Sequence, residues 1–211
     1  MKFSTILLAP AMVATAMAAP TPNKSDEVVC TPRIKGFLTF AMRNHIHVNH
    51  DFDIASEASK KWGHKMLKIH DERNPTHEVI LSECTGGSVP KKEKDPYGET
   101  VFGTIEFANE RGKCLWHGRD GDKWPIGVAD CPSKNYQKDD MWFHLSWLED
   151  EEDNEDNEAD VSIVDPKTKE IFSGWGGNEE KPMITMRKQF KGLPRASKPY
   201  VRVVNYKNIS E

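Results

Sequence analysis

The sequence predicts an all-β protein, on three observations. First, short runs are rich in β-prone residues, as at 78–84 with Val79, Ile80 and Leu81, and others alternate apolar and polar side chains, as at 100–108 and 143–147. Second, turn signals separate these runs: Gly86-Gly87, Asp95-Pro96-Tyr97-Gly98, Asp165-Pro166-Lys167 and Gly176-Gly177-Asn178. No alternation of strands with long helical segments intervenes, so a parallel α/β sheet is not expected. Third, Cys114 and Cys131 flank one charged, Gly-containing turn, where a disulfide can staple two neighbouring strands.

In chain order, residues 1–18 are expected to be a secretory signal peptide. Lys2 precedes an apolar run, and Ala16-Met17-Ala18 forms a small-x-small cleavage site. The run is too short for a membrane anchor, which needs about 20 apolar residues. Residues 19–29, rich in Pro, Ser and charge, are expected to be a disordered lead-in. The domain is expected over residues 30–207. Its first strand falls at 30–40, with Ile34, Phe37, Leu38 and Phe40 apolar. Residues 44–53 read as a strand carrying His45, His47 and Asn49 on one face. Residues 55–70 read as a short inserted helix, because Ala58, Trp62, Met66 and Ile69 recur at helical spacing. Strands follow at 78–84 and 100–108, with a loop at 86–98 between them. Beyond residue 147, strands are expected at 161–164, 170–175, 183–186 and 200–206.

The formal charge of −4 conceals an asymmetry. Residues 149–160 read EDEEDNEDNEAD; without their nine carboxylates and without Lys2 the formal charge turns from −4 to +4. This run is predicted to be an exposed, irregular acidic loop, because its charges repel and it holds almost nothing apolar. It lacks the Gly and the ligand spacing of an EF-hand loop. The lysines elsewhere are dispersed, so no nucleic-acid partner is expected, and no membrane partner either. Four cysteines in an exported chain imply two disulfides. Of three possible pairings, Cys114–Cys131 is favoured by its short loop, which leaves Cys30–Cys84. Asn23 and Asn208 open glycosylation sequons, whereas Asn74-Pro75-Thr76 is excluded by its proline.

Residues 112–147 also carry a family resemblance. Gly112-Lys113-Cys114-Leu115 opens the stretch, Cys131 follows an apolar run that ends in Asp130, and Asp140-Met141-Trp142 leads into its last strand. The stretch resembles one repeat of a ricin-type β-trefoil, which opens with Gly-x-Cys-Leu and closes with Gln-x-Trp; here Asp140 replaces the Gln. The resemblance is schematic elsewhere. It implies a single β-trefoil-like domain with three degenerate repeats, divided near residues 30–109, 110–160 and 161–206. An echo supports the division: residues 79–84 followed by Thr100-Val101-Phe102 parallel residues 126–131 followed by Asp140-Met141-Trp142.

The resemblance further implies carbohydrate recognition. The family's hydrogen-bonding Asp, two residues after the first Cys, is here Trp116, whose indole only donates. Its stacking aromatic before the second Cys is here Ala129. The usual site is therefore not intact in this repeat. A different shallow site is conceivable, with Trp124 as apolar platform and Asp120 and Asp140 accepting hydroxyl hydrogen bonds. Against it stands a plainer reading, in which Trp116 and Trp142 are core and Trp124 caps a turn.

His45-Ile46-His47-Val48-Asn49-His50 resembles the metal-binding His-x-His-x-Asp-His of metallo-β-lactamase-like hydrolases, with Asn49 in the Asp place. That family sets the motif after several strands; here it follows one. No metal, cofactor or enzymatic activity is expected, and no Ser-His-Asp set, phosphate loop or dinucleotide fingerprint occurs by motif. The expected protein is a secreted, extracellular, monomeric binding module. Its partner is a glycan or, alternatively, an extracellular protein met by long loops at 91–98 and 149–160, as an effector or protease inhibitor would do.

Overall fold

The structure, a computed structural model, describes residues 27–42, 48–70, 75–87, 89–90, 99–132, 139–147, 158–165, 167–168, 170–176, 183–187 and 199–209. Among them the fold is all-β, as expected. Thirteen strands join in one antiparallel network. The longest is β1 (Val29–Met42), followed by β2 (Val48–Ala58), β3 (Lys65–His70), β4 (Glu78–Thr85) and β5 (Glu99–Phe107). Then come β6 (Lys113–His117), β7 (Lys123–Asp130), a 3-10 turn at Asp139–Met141, β8 (Phe143–Trp147) and β9 (Ala159–Val164). The short β10 (Ile171–Phe172), β11 (Gly174–Gly176) and β12 (Thr185–Arg187) precede β13 (Pro199–Asn208).

Six of these strands close a ring. β1 pairs β4, β4 pairs β5, β5 pairs β8, β8 pairs β9, β9 pairs β13, and β13 returns to β1. Alternation decides what faces inward. Phe143, Leu145 and Trp147 are buried along β8, while His144 and Ser146 are half-buried. Leu145 is in register with Val101 on one side and Val161 on the other, and Val161 with Val201. These side chains join Ile34, Leu38, Leu81 and Ile105 in one core. Gly103 lets β4 and β5 approach: a Cβ there would lie 1.8 Å from the Ser82 carbonyl oxygen.

Three hairpins stand off this ring: β2–β3, β6–β7 and β11–β12. β7 pairs with both β3 and β12. The Ile184 amide donates to the Leu67 carbonyl at 2.9 Å, and the Ile126 amide donates to the Ile184 carbonyl at 3.1 Å, so the hairpins are knitted at one point. Aromatic side chains fill the space beneath: Phe40 meets Phe52 edge-on at 5.6 Å and Trp175 at 5.7 Å. Both expected disulfides are present. Cys30–Cys84 links the paired strands β1 and β4, and Cys114–Cys131 closes the β6–β7 hairpin with Cα atoms 4.8 Å apart. Cys84 and Cys114 are buried.

Three expectations are corrected. Residues 55–70 form no helix: they are the end of β2, a turn, and β3. The turn is closed by the Ser59 amide donating to the His64 carbonyl and by left-handed Gly63, φ 71°. The lead-in ends early, since Val28 is buried and β1 begins at Val29. The acidic run is not irregular to its end, because Ala159 is buried and, with Asp160, opens β9, while Glu158 pairs with the buried Arg202. Most of the acidic run, the loop at 91–98, the signal peptide, Asn23, His45 and His47 lie outside the described residues.

Candidate functional site

The turns of two hairpins meet at one edge of the molecule. In the β6–β7 turn, the Asp120 amide donates to the Lys123 carbonyl at 2.8 Å and the Lys123 amide to the Asp120 carbonyl at 3.1 Å. Gly121 takes the left-handed φ of 59° that so tight a reversal demands. In the β2–β3 turn, Trp62 and Gly63 both donate backbone hydrogen bonds to the Ser59 carbonyl. These two short turns bring Lys61, Trp62 and His64 against Trp116 and Asp120.

The indole of Trp116 is the anchor. It is buried beside Met66, Cys114 and Met141, and its Nε1–H donates to Asp140 Oδ2 at 3.0 Å. Trp62 packs on it with ring centroids 5.6 Å apart and planes tilted 55°, while the His64 ring approaches at 4.6 Å. Gly118 is pressed between the indoles: a Cβ there would meet Trp116 at 2.5 Å and Trp62 at 3.0 Å. Trp62 itself is only half-buried. Its ring is covered by the Lys61 ammonium, 4.8 Å from the ring centroid, and that ammonium is paired with Asp120 at 2.8 Å. Both charged side chains are more than half exposed, 59% and 54%. Nearby, a hydrogen bond from the Lys113 ammonium, with the charges of Lys113 and His64, holds Asp130 below the usual carboxylate range.

The structure therefore brings together two of the three expected site residues in new roles, and excludes the third. Asp120 is exposed and faces Lys61. Asp140 is half-buried and holds Trp116 in place. Trp124 is not a platform: it is only 5% exposed, with His117 edge-on at 5.3 Å and Phe172 at 5.4 Å. The Arg119 guanidinium lies 5.5 Å from its ring centroid and is tied to the buried Asp165 at 3.0 Å. Burial raises the Asp165 pKa, but the amides of Lys167 and Thr168 and the Arg119 charge outweigh it, so the carboxylate sits below its ordinary value. Trp116 and Trp142 are core residues, as the plainer reading has them.

No protein-family model, no curated protein and no solved structure gives a match.

Sequence reasoning missed Lys61, Trp62 and His64, because it placed them on a helix. The one usable signal was Gly63, which sits beside a Lys-Lys-Trp run in a stretch otherwise able to be two strands. A second missed pairing is His144 Nδ1 with Ser162 Oγ, 3.1 Å apart across β8 and β9. The Ser162 hydroxyl also lies 3.4 Å from the His144 carbonyl, so it is placed as a cross-strand polar pair is placed. Of the histidine motif, His50 is described, with its ring edge-on to Trp175 at 5.7 Å. Among the described residues no three His, Cys, Asp or Glu side chains are grouped to hold a metal ion. A cleft of about 220 Å³ opens beside Cys84, between Val89, Pro90, Val101 and Phe102. Its one carboxylate, Glu83, is engaged by Arg33 at 3.2 Å. Asn208 ends β13 at an exposed position; Ser210 of its sequon lies outside the described residues. Among the described residues no helix is long and apolar enough to cross a membrane.

Proposed function

We propose that this chain is an exported carbohydrate-binding module with a ricin-type β-trefoil fold and degenerate repeats. The observation that carries the reading is the order of strand pairing. Six strands close a ring in which β1 and β4, β5 and β8, and β9 and β13 each enclose one hairpin pairing: β2–β3, β6–β7 and β11–β12. That is the plan the Gly-x-Cys-Leu stretch leads one to expect, and the stretch itself spans the whole of β6 to β8. The apolar leader and the two disulfides support export. The module works by recognition, on surface turns carried by a rigid scaffold.

A second reading is favoured by a specific observation. The positions that ricin-type repeats use for sugar are Trp116 and Ala129 here, and Trp124 is buried. A trefoil so altered binds an extracellular protein through its loops instead. A glycan array and a panel of secreted proteases, both run on the mature disulfide-bonded protein, separate the two. Saturable binding to a glycan class supports the first reading. Protease inhibition or capture of a protein ligand without glycan binding supports the second.

A further inference from the structure

We infer that the ligand surface is the Trp62 indole framed by Lys61 and Asp120, and that it takes the apolar face of a neutral hexopyranose. The inference rests on the carbohydrate reading above and names where, and for what sugar chemistry, recognition occurs. Sugars are well hydrated, so a site gains from ring stacking combined with oriented hydrogen bonds. Among the described tryptophans, Trp62 is the one that is not buried. Its orientation is fixed from behind by Trp116, which is in turn held by Asp140, so the platform is organised before a ligand arrives.

The framing charges select the ligand class. Lys61 offers donors and Asp120 offers acceptors, 2.8 Å apart at the edge of one ring. An anionic sugar that reached Lys61 would meet Asp120, and a cationic one that reached Asp120 would meet Lys61. A neutral pyranose, whose hydroxyls both donate and accept, satisfies both without repulsion. Lys61 lies over the ring. Exposed ion pairs hold little free energy, so this cover opens readily and its charged head stays beside the platform. Beyond its chain neighbours Trp62 and His64, Gly63 has no heavy atom within 4 Å of the position its Cβ would take, so the turn is open on that side.

The test is a titration of the mature, disulfide-bonded protein, labelled with ¹⁵N, against methyl β-galactoside, methyl β-glucoside, methyl β-glucuronide and glucosamine. The indole N–H resonances report which tryptophan responds. Shifts at Trp62 and Trp116 with a neutral glycoside, at a dissociation constant on the order of 1 mM, are expected. The glucuronide and glucosamine bind more weakly. Trp62→Ala weakens binding by about tenfold or more, Trp62→Phe restores part of it, and Lys61→Met and Asp120→Asn each weaken it severalfold. Should Trp62→Ala fail to fold, the wild-type Trp62 resonance still decides. Saturable binding that leaves that resonance unmoved overturns this site while the carbohydrate reading stands. Tighter binding of the glucuronide or glucosamine overturns the neutral class. No response to any of the four probes, beside a silent glycan array, overturns the site and the carbohydrate reading together.

Discussion

His117 should make the fold sensitive to acid between pH 6.5 and about 4. Its ring is 3% exposed, edge-on to Trp124 at 5.3 Å and to Phe143 at 5.2 Å. Its Nε2 lies 3.2 Å from the Trp142 carbonyl, which fixes the neutral tautomer with the proton on Nε2. Nδ1 is buried with no hydrogen-bond partner among the described residues, so a second proton would enter an apolar setting. Burial therefore lowers the pKa from 6.5 to about 4, against the smaller opposing pull of the Trp142 carbonyl and the Asp140 charge.

The sign follows from linkage. Between the folded and unfolded pKa values the unfolded chain binds the proton and the folded chain does not. The stabilisation is complete above pH 6.5 and is lost as the pH falls through about 4. At about 1.4 kcal/mol per unit the whole gap corresponds to about 3 kcal/mol. Urea unfolding followed by tryptophan fluorescence at about pH 7 and about pH 4.5 measures most of it, about 2 kcal/mol. His117→Gln is the control: its amide can still donate to the Trp142 carbonyl but takes up no proton. Carboxylates titrate alike in both proteins and cancel in the difference. The wild type should lose about 2 kcal/mol more than the variant over this interval. Parallel losses would refute the reasoning.

The remaining predictions concern packing and the site's foundation. Replacing Cys114 and Cys131 together by Ser should lower unfolding free energy by about 3 kcal/mol, measured in urea, if the entropy of the open loop governs the effect. Gly103→Ala should cost about 3 kcal/mol or more, because the new methyl would meet backbone, the Ser82 carbonyl. Gly112→Ala, where φ is +79° with open space around it, should cost only about 1 kcal/mol, and equal costs for the two would discredit the packing argument. Asp140→Ala should cost about 1–3 kcal/mol by stranding the Trp116 N–H, while Asp140→Asn keeps an acceptor and should cost less; the melting temperatures of the two variants check this order.

The strands were legible where one face is buried and the other is not. Along β8 the alternation is complete in the sequence itself, and the short loop favoured Cys114–Cys131, which left Cys30–Cys84. Residues 55–70 misled for a physical reason. Met66 and Leu67 are adjacent and both buried, so period two fails there, and Trp62 sits on a turn rather than on a strand face. What remained was a spacing of three and four that mimics a helix. The same error concealed the site, because a helical Trp62 would lie among Ala58 and Met66 in a core. The roles of Asp120 and Asp140 were illegible for another reason. Each depends on a partner distant in the chain, Lys61 for one and Trp116 for the other, and no local pattern announces such a contact.

Why Trp62 and not Trp124 can face a ligand is a matter of position relative to the ladder. Trp124 is the second residue of β7, in register with Met186 on β12. Pairing on that side fixes the pleat, and the pleat turns the indole toward Phe172 and His117. Returning it to the surface forfeits the burial of a tryptophan, about 4 kcal/mol at about 25 cal/mol per Å². It would also part Arg119 from the buried Asp165. Trp62 stands in a turn, where no partner strand dictates a face. Uncovering it requires only that the exposed Lys61–Asp120 pair open, about 0–1 kcal/mol. The difference, about 3 kcal/mol, favours the Trp62 surface by more than about a hundredfold. Trp124, held inside β7, is core, whereas Trp62, in the turn between β2 and β3, is only half-buried.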